Sequence, residues 1–112
     1  EAFKRITNTD SSNWMTSITL PNSVTTIGDF AFYMCFSLKT VTIPESVTSI
    51  GQYAFGSCYD LVEINCQPTT PPTLGYGAFN NVSATCYVPT GSVDTYKANW
   101  SEYEGNIEGR EF

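Results

Sequence analysis

Histidine is absent from the 112-residue sequence. It is the side chain that most often acts as a general base near neutral pH, and it is the most common metal ligand. Its absence leaves carboxylates and thiols as the main candidates for acid–base chemistry. We therefore expect no catalytic residues, no metal site and no cofactor.

Positive charge is also scarce. Five Lys and Arg residues stand against eleven Asp and Glu residues, which gives a net charge of −6, and the basic residues are scattered. Nucleic acid and anionic membranes attract clustered basic side chains, so neither is an expected partner. No apolar run approaches the roughly 20 residues of a membrane-spanning helix, and no charged-then-apolar leader opens the chain. We expect no membrane insertion in this segment, and an export signal that was removed or left out.

Charged residues make up only 14% of the chain, whereas hydrophobic residues make up 41%. Disordered chains show the opposite balance, so this chain is expected to fold. Its length suits one small domain with a single core.

The four cysteines lack the paired CxxC spacing of zinc sites. Cys35 and Cys58 are close enough for a disulfide if equivalent positions of a repeat stack, but their Cβ vectors then run side by side. Cys66 and Cys86 fall at different inward positions of neighbouring strands, which lengthens the distance between them. Free core thiols are favoured, with disulfides as the alternative. A catalytic thiol is not expected, because no histidine can activate it.

A repeat of 23 residues organises the chain. Residues 15–37 align without a gap with residues 38–60, an offset of 38 − 15 = 23. Both copies carry an apolar-x-apolar-Pro strand pattern, an Ile-Gly pair, an Ala-Phe dipeptide and a cysteine. A third, degraded copy spans residues 61–84 with one extra residue around Pro71-Pro72. Such insertions are expected in surface loops.

The array is predicted to end in a partial fourth copy, residues 85–89, followed by a C-terminal cap, residues 90–112. A short helix is expected from Val93 to about Trp100. Ser92 suits its N-cap, and the neighbouring aspartate suits its first turn.

Residues 1–14 are predicted to be a truncated repeat with an enlarged loop. Ala2-Phe3 echoes the Ala-Phe dipeptide, but Phe3 lies 18 − 3 = 15 residues before the next strand, at Ile18. Residues 7–13 have the polar, turn-prone composition of such a loop. A parent protein is expected to continue upstream of Glu1, and the exposed apolar N-terminal edge is predicted to favour self-association.

Each copy alternates apolar and polar residues in its strand, so one face is buried and the other offers hydroxyl groups. Pro44 is expected to end the strand, and Val47 to Gly51 to form a second short extended piece. Ala54 to Cys58 is expected to make a helical turn with Phe55 pointing inward. One repeat alone leaves half its apolar side chains exposed, so copies must stack ~4.8 Å apart. The sequence predicts a β-rich α/β solenoid of about four coils, with one parallel β-sheet and a short C-terminal capping helix.

This pattern resembles the BspA-type leucine-rich repeat, over roughly residues 15–103. The residues of the second copy that carry the resemblance are Leu38, Val41, Ile43, Pro44, Val47, Ile50, Gly51, Ala54, Phe55 and Cys58. The closing stretch is similar to the module that ends many such arrays in surface proteins of anaerobic bacteria; it comprises Tyr87-Val88-Pro89, Val93, Tyr96-Lys97 and Trp100. The resemblance implies a right-handed solenoid, export to the cell surface and adhesion to host proteins. No binding-residue motif comes with it.

The outward face of the predicted sheet is the main candidate binding surface. Its side chains form two columns, Ser17, Thr40, Glu63 and Thr85 in one and Thr19, Thr42, Asn65 and Tyr87 in the other. The candidate binding residues are Thr19, Thr40, Thr42, Glu63, Asn65 and Tyr87. Solenoids commonly bind partners through such faces, although threonine also suits a merely solvated sheet.

A second candidate surface contains Tyr33, Met34 and Phe36 beside Tyr59, where aromatic side chains favour either an interface or packing between repeats. A pair of acids, Asp60 and Glu63, is more consistent with a soluble surface than with a glycosidase site.

Other features are weaker. A calcium site from Asp60, Glu63 and Asn65 has little support, because no loop concentrates oxygen ligands. Two glycosylation sequons, at Asn81 and Asn99, are short motifs to which we assign no role. Residues 107–110 match the factor Xa recognition sequence, so residues 107–112 are either vector-derived or the native final strand.

The sequence therefore predicts a non-catalytic, extracellular or cell-surface module that binds a protein ligand, such as a host matrix or plasma protein. A passive spacer within a larger surface protein is the main alternative, and a fragment of a carbohydrate-active enzyme is a remote one.

Overall fold

The computed structural model describes residues 2–3 and 16–112 of the chain. Short strands dominate, and one α-helix lies near the end. The strands are β1 (Ala2–Phe3), β2 (Ser17–Thr19), β3 (Thr26–Ile27), β4 (Thr40–Ile43), β5 (Ser49–Ile50), β6 (Glu63–Cys66), β7 (Thr73–Leu74), β8 (Thr85–Pro89) and β9 (Ile107–Arg110). Helix α1 spans Val93–Asn99, between 3₁₀ segments at Thr90–Ser92 and Ser101–Asn106.

The strands pair in two parallel ladders, so the predicted β-rich α/β fold with parallel strands and a short helix is confirmed. One sheet has the order β2-β4-β6-β8-β9 and the other has the order β1-β3-β5-β7. The expectation of a single sheet is wrong, because the second extended piece of each repeat also pairs with its neighbours. In β3 and β5 a half-buried residue precedes a fully buried one. Burying that apolar residue brings the backbones of successive repeats within hydrogen-bonding distance.

The repeat is visible in the register of both sheets. Val41 pairs with Ile64, and 64 − 41 = 23. In the other sheet Ser49 pairs with Thr73, and 73 − 49 = 24. The extra residue predicted around Pro71-Pro72 therefore lies in the loop between β6 and β7. The loop absorbs it without interrupting either ladder.

After the four-stranded sheet, each repeat passes through a series of tight turns, which we call its turn segment. In the second repeat Tyr53 and Ser57 have positive φ angles of 50° and 58°, and equivalent residues of the other repeats do the same. A left-handed residue cannot continue a right-handed helical turn, so the expectation of a helical turn is wrong. Amides instead bond the next repeat, as the Phe55 N–H does by donating to the Ala78 carbonyl at 2.8 Å.

A stack of aromatic rings runs through the core. The ring centroids of Phe32 and Phe55 are 5.0 Å apart, and those of Phe55 and Phe79 are 5.4 Å apart, with nearly parallel planes. Trp100 continues the stack 5.6 Å from Phe79. Burial of one such ring stabilises the fold by about 1.5–3 kcal/mol, so the stack ties successive repeats together.

Residues of the cap attach to the loop between β6 and β7 through hydrogen bonds. The Ser92 hydroxyl donates to the Thr69 carbonyl at 2.9 Å, and the Trp100 indole N–H donates to the Pro72 carbonyl at 2.9 Å. Between them, the Tyr96 hydroxyl donates to the carbonyl of a third loop residue. The loop with the insertion is therefore held by the cap.

Helix α1 lies close to its predicted bounds, with Asp94 in its first turn. Ser92 occupies the N-cap position, but its hydroxyl does not cap the helix. That hydroxyl bonds to Thr69 instead. The predicted position is thus correct, and the predicted hydrogen bond is not.

At the other end, Ala2 and Phe3 pair with Thr26 and Ile27. They occupy a strand position of the four-stranded sheet, not the Ala-Phe position that their sequence echoes. The rest of the enlarged loop predicted over residues 1–14 lies outside the described residues.

Candidate functional site

The outer face of the five-stranded sheet brings the predicted columns together. Thr40 lies between Ser17 and Glu63 in the register, and Thr85 follows. In the second column the register order is Thr19, Thr42, Asn65 and Tyr87. The structure confirms that these residues are neighbours, whereas a binding role for them stays a prediction.

Burial alternates along these strands as the sequence pattern predicts. In β4 and β6 the outward residues are half-buried and the inward residues are buried. Thr19, near the start of the array, is exposed. The outward residues are therefore partly accessible along the face, while the core side is covered except at Ile18, which is half-buried.

Arg110 is the residue of this face that the sequence analysis missed. Strand β9 pairs with β8, and Arg110 lies at its end. Its guanidinium donates to Glu63 Oε2 at 2.9 Å and to Asn65 Oδ1 at 2.6 Å. Its guanidinium carbon also lies 3.5 Å from the centroid of the Tyr87 ring. Three of the six candidate residues thus converge on one arginine, and we call these four residues the Arg110 cluster.

Within the Arg110 cluster the carboxylate is well matched with donors. The Asn65 amide donates to Glu63 Oε2 at 2.9 Å, beside the Arg110 contact. The hydrogen bond from Asn65, and then that from Arg110, lower the pKa of Glu63. Glu63 is therefore held in its charged form, which suits recognition and does not suit a general acid.

The sequence carried a weak signal for Arg110. Ile107 is an apolar residue at an inward position. The residues that follow it alternate between outward and inward positions in register with those of β8. The factor Xa match left two interpretations of this stretch open, a vector-derived end and a native final strand. In the structure these residues form β9, the last strand of the five-stranded sheet, and Ile107 is 4% exposed.

All four cysteines are free and buried. The Cys58 thiol donates to the Phe32 carbonyl at 3.0 Å, and burial raises its pKa to about 12. Burial also raises the pKa of Cys35. The pKa of Cys86 is raised by a hydrogen bond with Cys66 and by burial. Protonated, enclosed thiols are poor nucleophiles, which matches the core interpretation.

The second candidate surface divides into two parts. Phe36 and Tyr59 are 39% and 64% exposed, and their rings stack 5.5 Å apart with parallel planes. Tyr33 is half-buried and contacts the rings of Phe30 and Tyr53 edge-on. Only the first pair is therefore an exposed aromatic patch, while Tyr33 packs between repeats.

The described residues contain no group of three or more His, Cys, Asp or Glu side chains placed to hold a metal ion. In the same part of the chain, no helix is long and apolar enough to cross a membrane.

A family model for the BspA type leucine rich repeat region, with six copies, matches residues 3–104. No curated protein matches the chain. The match covers nearly the whole sequence, including strands β2 to β8, the turn segments and most of the cap. The chain therefore belongs to the BspA-type leucine-rich repeat family.

Proposed function

We propose that this chain is a non-catalytic module that binds a host extracellular protein through the outer face of its five-stranded sheet. In this proposal it acts at the cell surface or outside the cell. Residues 15–37, 38–60, 61–84 and 85–89 are its repeats, and residues 90–112 are its cap. The repeats wind as a right-handed solenoid of about four coils. The ligand is a matrix or plasma protein.

The Arg110 cluster is the observation that carries this proposal. An arginine fixed by a carboxylate, an amide and an aromatic ring is pre-organised, so less conformational entropy is lost when a partner binds. Tyrosine and arginine are also the residue types enriched at the energetic centres of protein interfaces. The guanidinium and the Glu63 carboxylate are each about one-third exposed, so both remain available to a partner.

Apart from Glu108, which pairs with Tyr87 in the register, the remaining face supplies hydroxyl groups rather than charge. Thr19, Thr40 and Thr42 extend from the Arg110 cluster along the two columns. Such a polar surface around an aromatic and arginine centre has the composition of a protein interface. It offers little to nucleic acid, since Arg110 is already paired with Glu63.

The test is binding of the immobilised chain to a panel of host matrix and plasma proteins. A Thr42→Arg/Asn65→Arg double variant places two new positive charges on the face, one of them against Arg110. We expect saturable binding by the native chain and at least tenfold weaker binding by this variant, a loss of about 1.4 kcal/mol.

The matched control is Ser83→Arg/Thr95→Arg, which adds the same charge at two exposed positions away from the sheet face. Circular dichroism checks that both variants are folded. An equal loss of binding in both variants would show that the added charge alone weakens binding, which would contradict the proposed binding face. Absence of binding to every protein of the panel would favour the alternative function, a passive spacer within a larger surface protein.

A further inference from the structure

The hydrogen bonds between turn segments end abruptly at the third repeat. In the second repeat, three backbone amides donate to carbonyls of the third repeat. They are the amides of Tyr53, Phe55 and Ser57, at 3.0, 2.8 and 2.7 Å respectively. The equivalent amides of the third repeat belong to Gly77, Phe79 and Asn81. Beyond β8 the chain enters the cap instead of forming another turn segment. These amides therefore face a position that a further repeat would fill.

The cap packs beside one of the three amides, that of Phe79. The rings of Phe79 and Tyr103 meet edge-on at 5.3 Å. For the amides of Gly77 and Asn81, the described part of the chain supplies no carbonyl acceptor. Two backbone donors of the third repeat are thus left without a backbone acceptor in the described part of the chain.

The four-stranded sheet is open on the same side. Strand β7 is its last strand, and the amides of Thr73 and Gly75 donate back to the preceding repeat. Alternate residues of a parallel strand bond to opposite neighbours, so Leu74 turns its N–H and C=O groups outward. An extended backbone laid beside β7 would find both a donor and an acceptor there.

A groove of about 390 Å³ occupies this position, between residues 74–80 and the start of the second 3₁₀ segment. Its lining shares no residue with the Arg110 cluster. The volume lies within the roughly 300–1,000 Å³ range of ligand sites. The groove therefore combines backbone hydrogen-bonding groups with room for a ligand.

Two side chains of the lining indicate what that ligand carries. Tyr76 is 78% exposed, and Glu102 is the only charged residue of the lining. An exposed tyrosine ring and a carboxylate attract a guanidinium or an ammonium group. On the sheet face the same two groups, from Tyr87 and Glu63, already hold Arg110. Acidic residues outnumber basic ones in the chain, which adds to the preference for a basic ligand.

We propose that this groove binds an extended polypeptide segment of a partner, which adds as a strand to the edge of β7 and places a basic side chain at Tyr76 and Glu102. The amide of Gly77, which lines the groove, donates to a carbonyl of the segment. Strand addition supplies affinity through the main chain, and the basic side chain supplies selectivity. This site is separate from the proposed sheet face, so either can fail without the other.

The test uses two pools of blocked pentapeptides, fixed as Arg or as Glu at the centre and varied among Thr, Val, Ser and Tyr elsewhere. Each pool is titrated into the ¹⁵N-labelled chain up to millimolar concentration. We expect the Arg pool to shift the amide signals of Leu74 and Gly77 saturably. The Glu pool should bind at least about fivefold more weakly, and backbone N-methylation of the Arg pool should abolish the shifts.

Variants separate the groove from the rest of the surface. Tyr76→Ala and Glu102→Gln should each weaken the Arg pool about three- to fivefold. Tyr59→Ala and Glu104→Gln change exposed residues outside the groove and should leave binding unchanged. The Thr42→Arg/Asn65→Arg variant should also bind the pool normally.

Three results would overturn the proposal. The first is the absence of shifts at these amides with the Arg pool, and the second is equal binding of both pools. The third is binding of a neutral oligosaccharide at the same amides without peptide binding, which would assign the groove to sugars. Concentration-dependent shifts in the chain alone, followed by sedimentation, would instead identify a second copy as the occupant.

Discussion

The Arg110 guanidinium lies 3.5 Å above the Tyr87 ring, although the two residues belong to different strands and the cap separates them along the chain. Strand β9 pairs in parallel with β8, so the chain must leave the sheet through the cap before it returns. The parallel connection therefore places Arg110 on the edge strand, from which its side chain reaches Glu63 and Asn65 of β6. Stability of β9 and organisation of the candidate binding face are coupled through one side chain.

Arg110→Gln tests this coupling. Loss of the guanidinium removes a hydrogen bond and a positive charge from Glu63, so the pKa of Glu63 should rise toward its ordinary value. The free energy of unfolding at pH 7 should fall by about 1 kcal/mol, since the cation–π contact and an ion pair whose side chains are about one-third exposed each contribute modestly. Carboxyl NMR titration and urea denaturation measure the two effects. Lys97→Gln is the control, and an unchanged Glu63 pKa in Arg110→Gln would contradict the contact.

Close backbone approach explains a column of glycines in the repeats. A Cβ atom on Gly51 would lie 2.6 Å from the Asp29 nitrogen and 2.8 Å from the Gly28 carbonyl carbon. Backbone atoms cannot move aside as a flexible side chain can. The repeats can therefore stack at this spacing only with glycine at that position.

Gly51→Ala should lower the unfolding free energy by about 2–3 kcal/mol, the upper part of the range for overpacked sites. Gly105→Ala is the matched control, because a Cβ there meets nothing within 4 Å. Urea denaturation followed by circular dichroism compares the two. Equal stability of the two variants would show that the repeats lie farther apart than the structure has them.

The sequence predicted the elements that depend on residue periodicity. Strand positions such as Val41 and Ile64, the two outward columns and the inserted residue near Pro71 all followed from the 23-residue pattern. The second ladder was missed because Thr26–Ile27 is too short to show alternation. The turn segments were missed because left-handed φ angles at ordinary residues, such as Tyr53, leave no mark in the sequence.

The candidate site was only partly predictable for a related reason. Glu63, Asn65 and Tyr87 belong to repeats, so their register fixes their position. Arg110 lies after an irregular cap, whose path no periodic pattern describes. The pairing of Arg110 with β8 depends on the number of residues in the cap before the chain returns to the sheet.

Stability above pH 9 should depend on the buried Cys58 thiol. Its pKa is about 12 in the folded chain, against an ordinary value of 9.0 for a cysteine thiol. The folded state therefore holds the thiol proton more tightly than the unfolded state. The contribution of Cys58 to the free energy of unfolding is complete below pH 9 and is lost progressively between pH 9 and 12. For one thiol the slope reaches at most about 1.4 kcal/mol per pH unit.

Cys58→Ala isolates this contribution. At pH 7 the variant should be less stable by about 1–2 kcal/mol, because a buried sulfur and its contacts are removed. Between pH 9 and 10.5 its unfolding free energy should fall less steeply than that of the native chain. The midpoint of urea denaturation, measured for both proteins across this pH interval, tests the prediction. Parallel pH profiles of the variant and the native chain would show that burial does not keep the thiol protonated.

Attachment of the cap to the third repeat should depend on the Tyr96 hydroxyl. Tyr96 is fully buried, and its hydroxyl donates to the carbonyl of Pro68, which is also buried. Tyr96→Phe keeps the ring but leaves that carbonyl without its donor, which costs about 1–3 kcal/mol. The control Tyr59→Phe removes a hydroxyl from a residue that is 64% exposed and should change stability by less than about 0.5 kcal/mol. In hydrogen exchange, the amides of α1 and β9 should lose protection before those of β4 in the Tyr96→Phe variant. Uniform loss across all strands would mean that the cap and the repeats unfold as one unit and that the hydroxyl contributes to the whole fold.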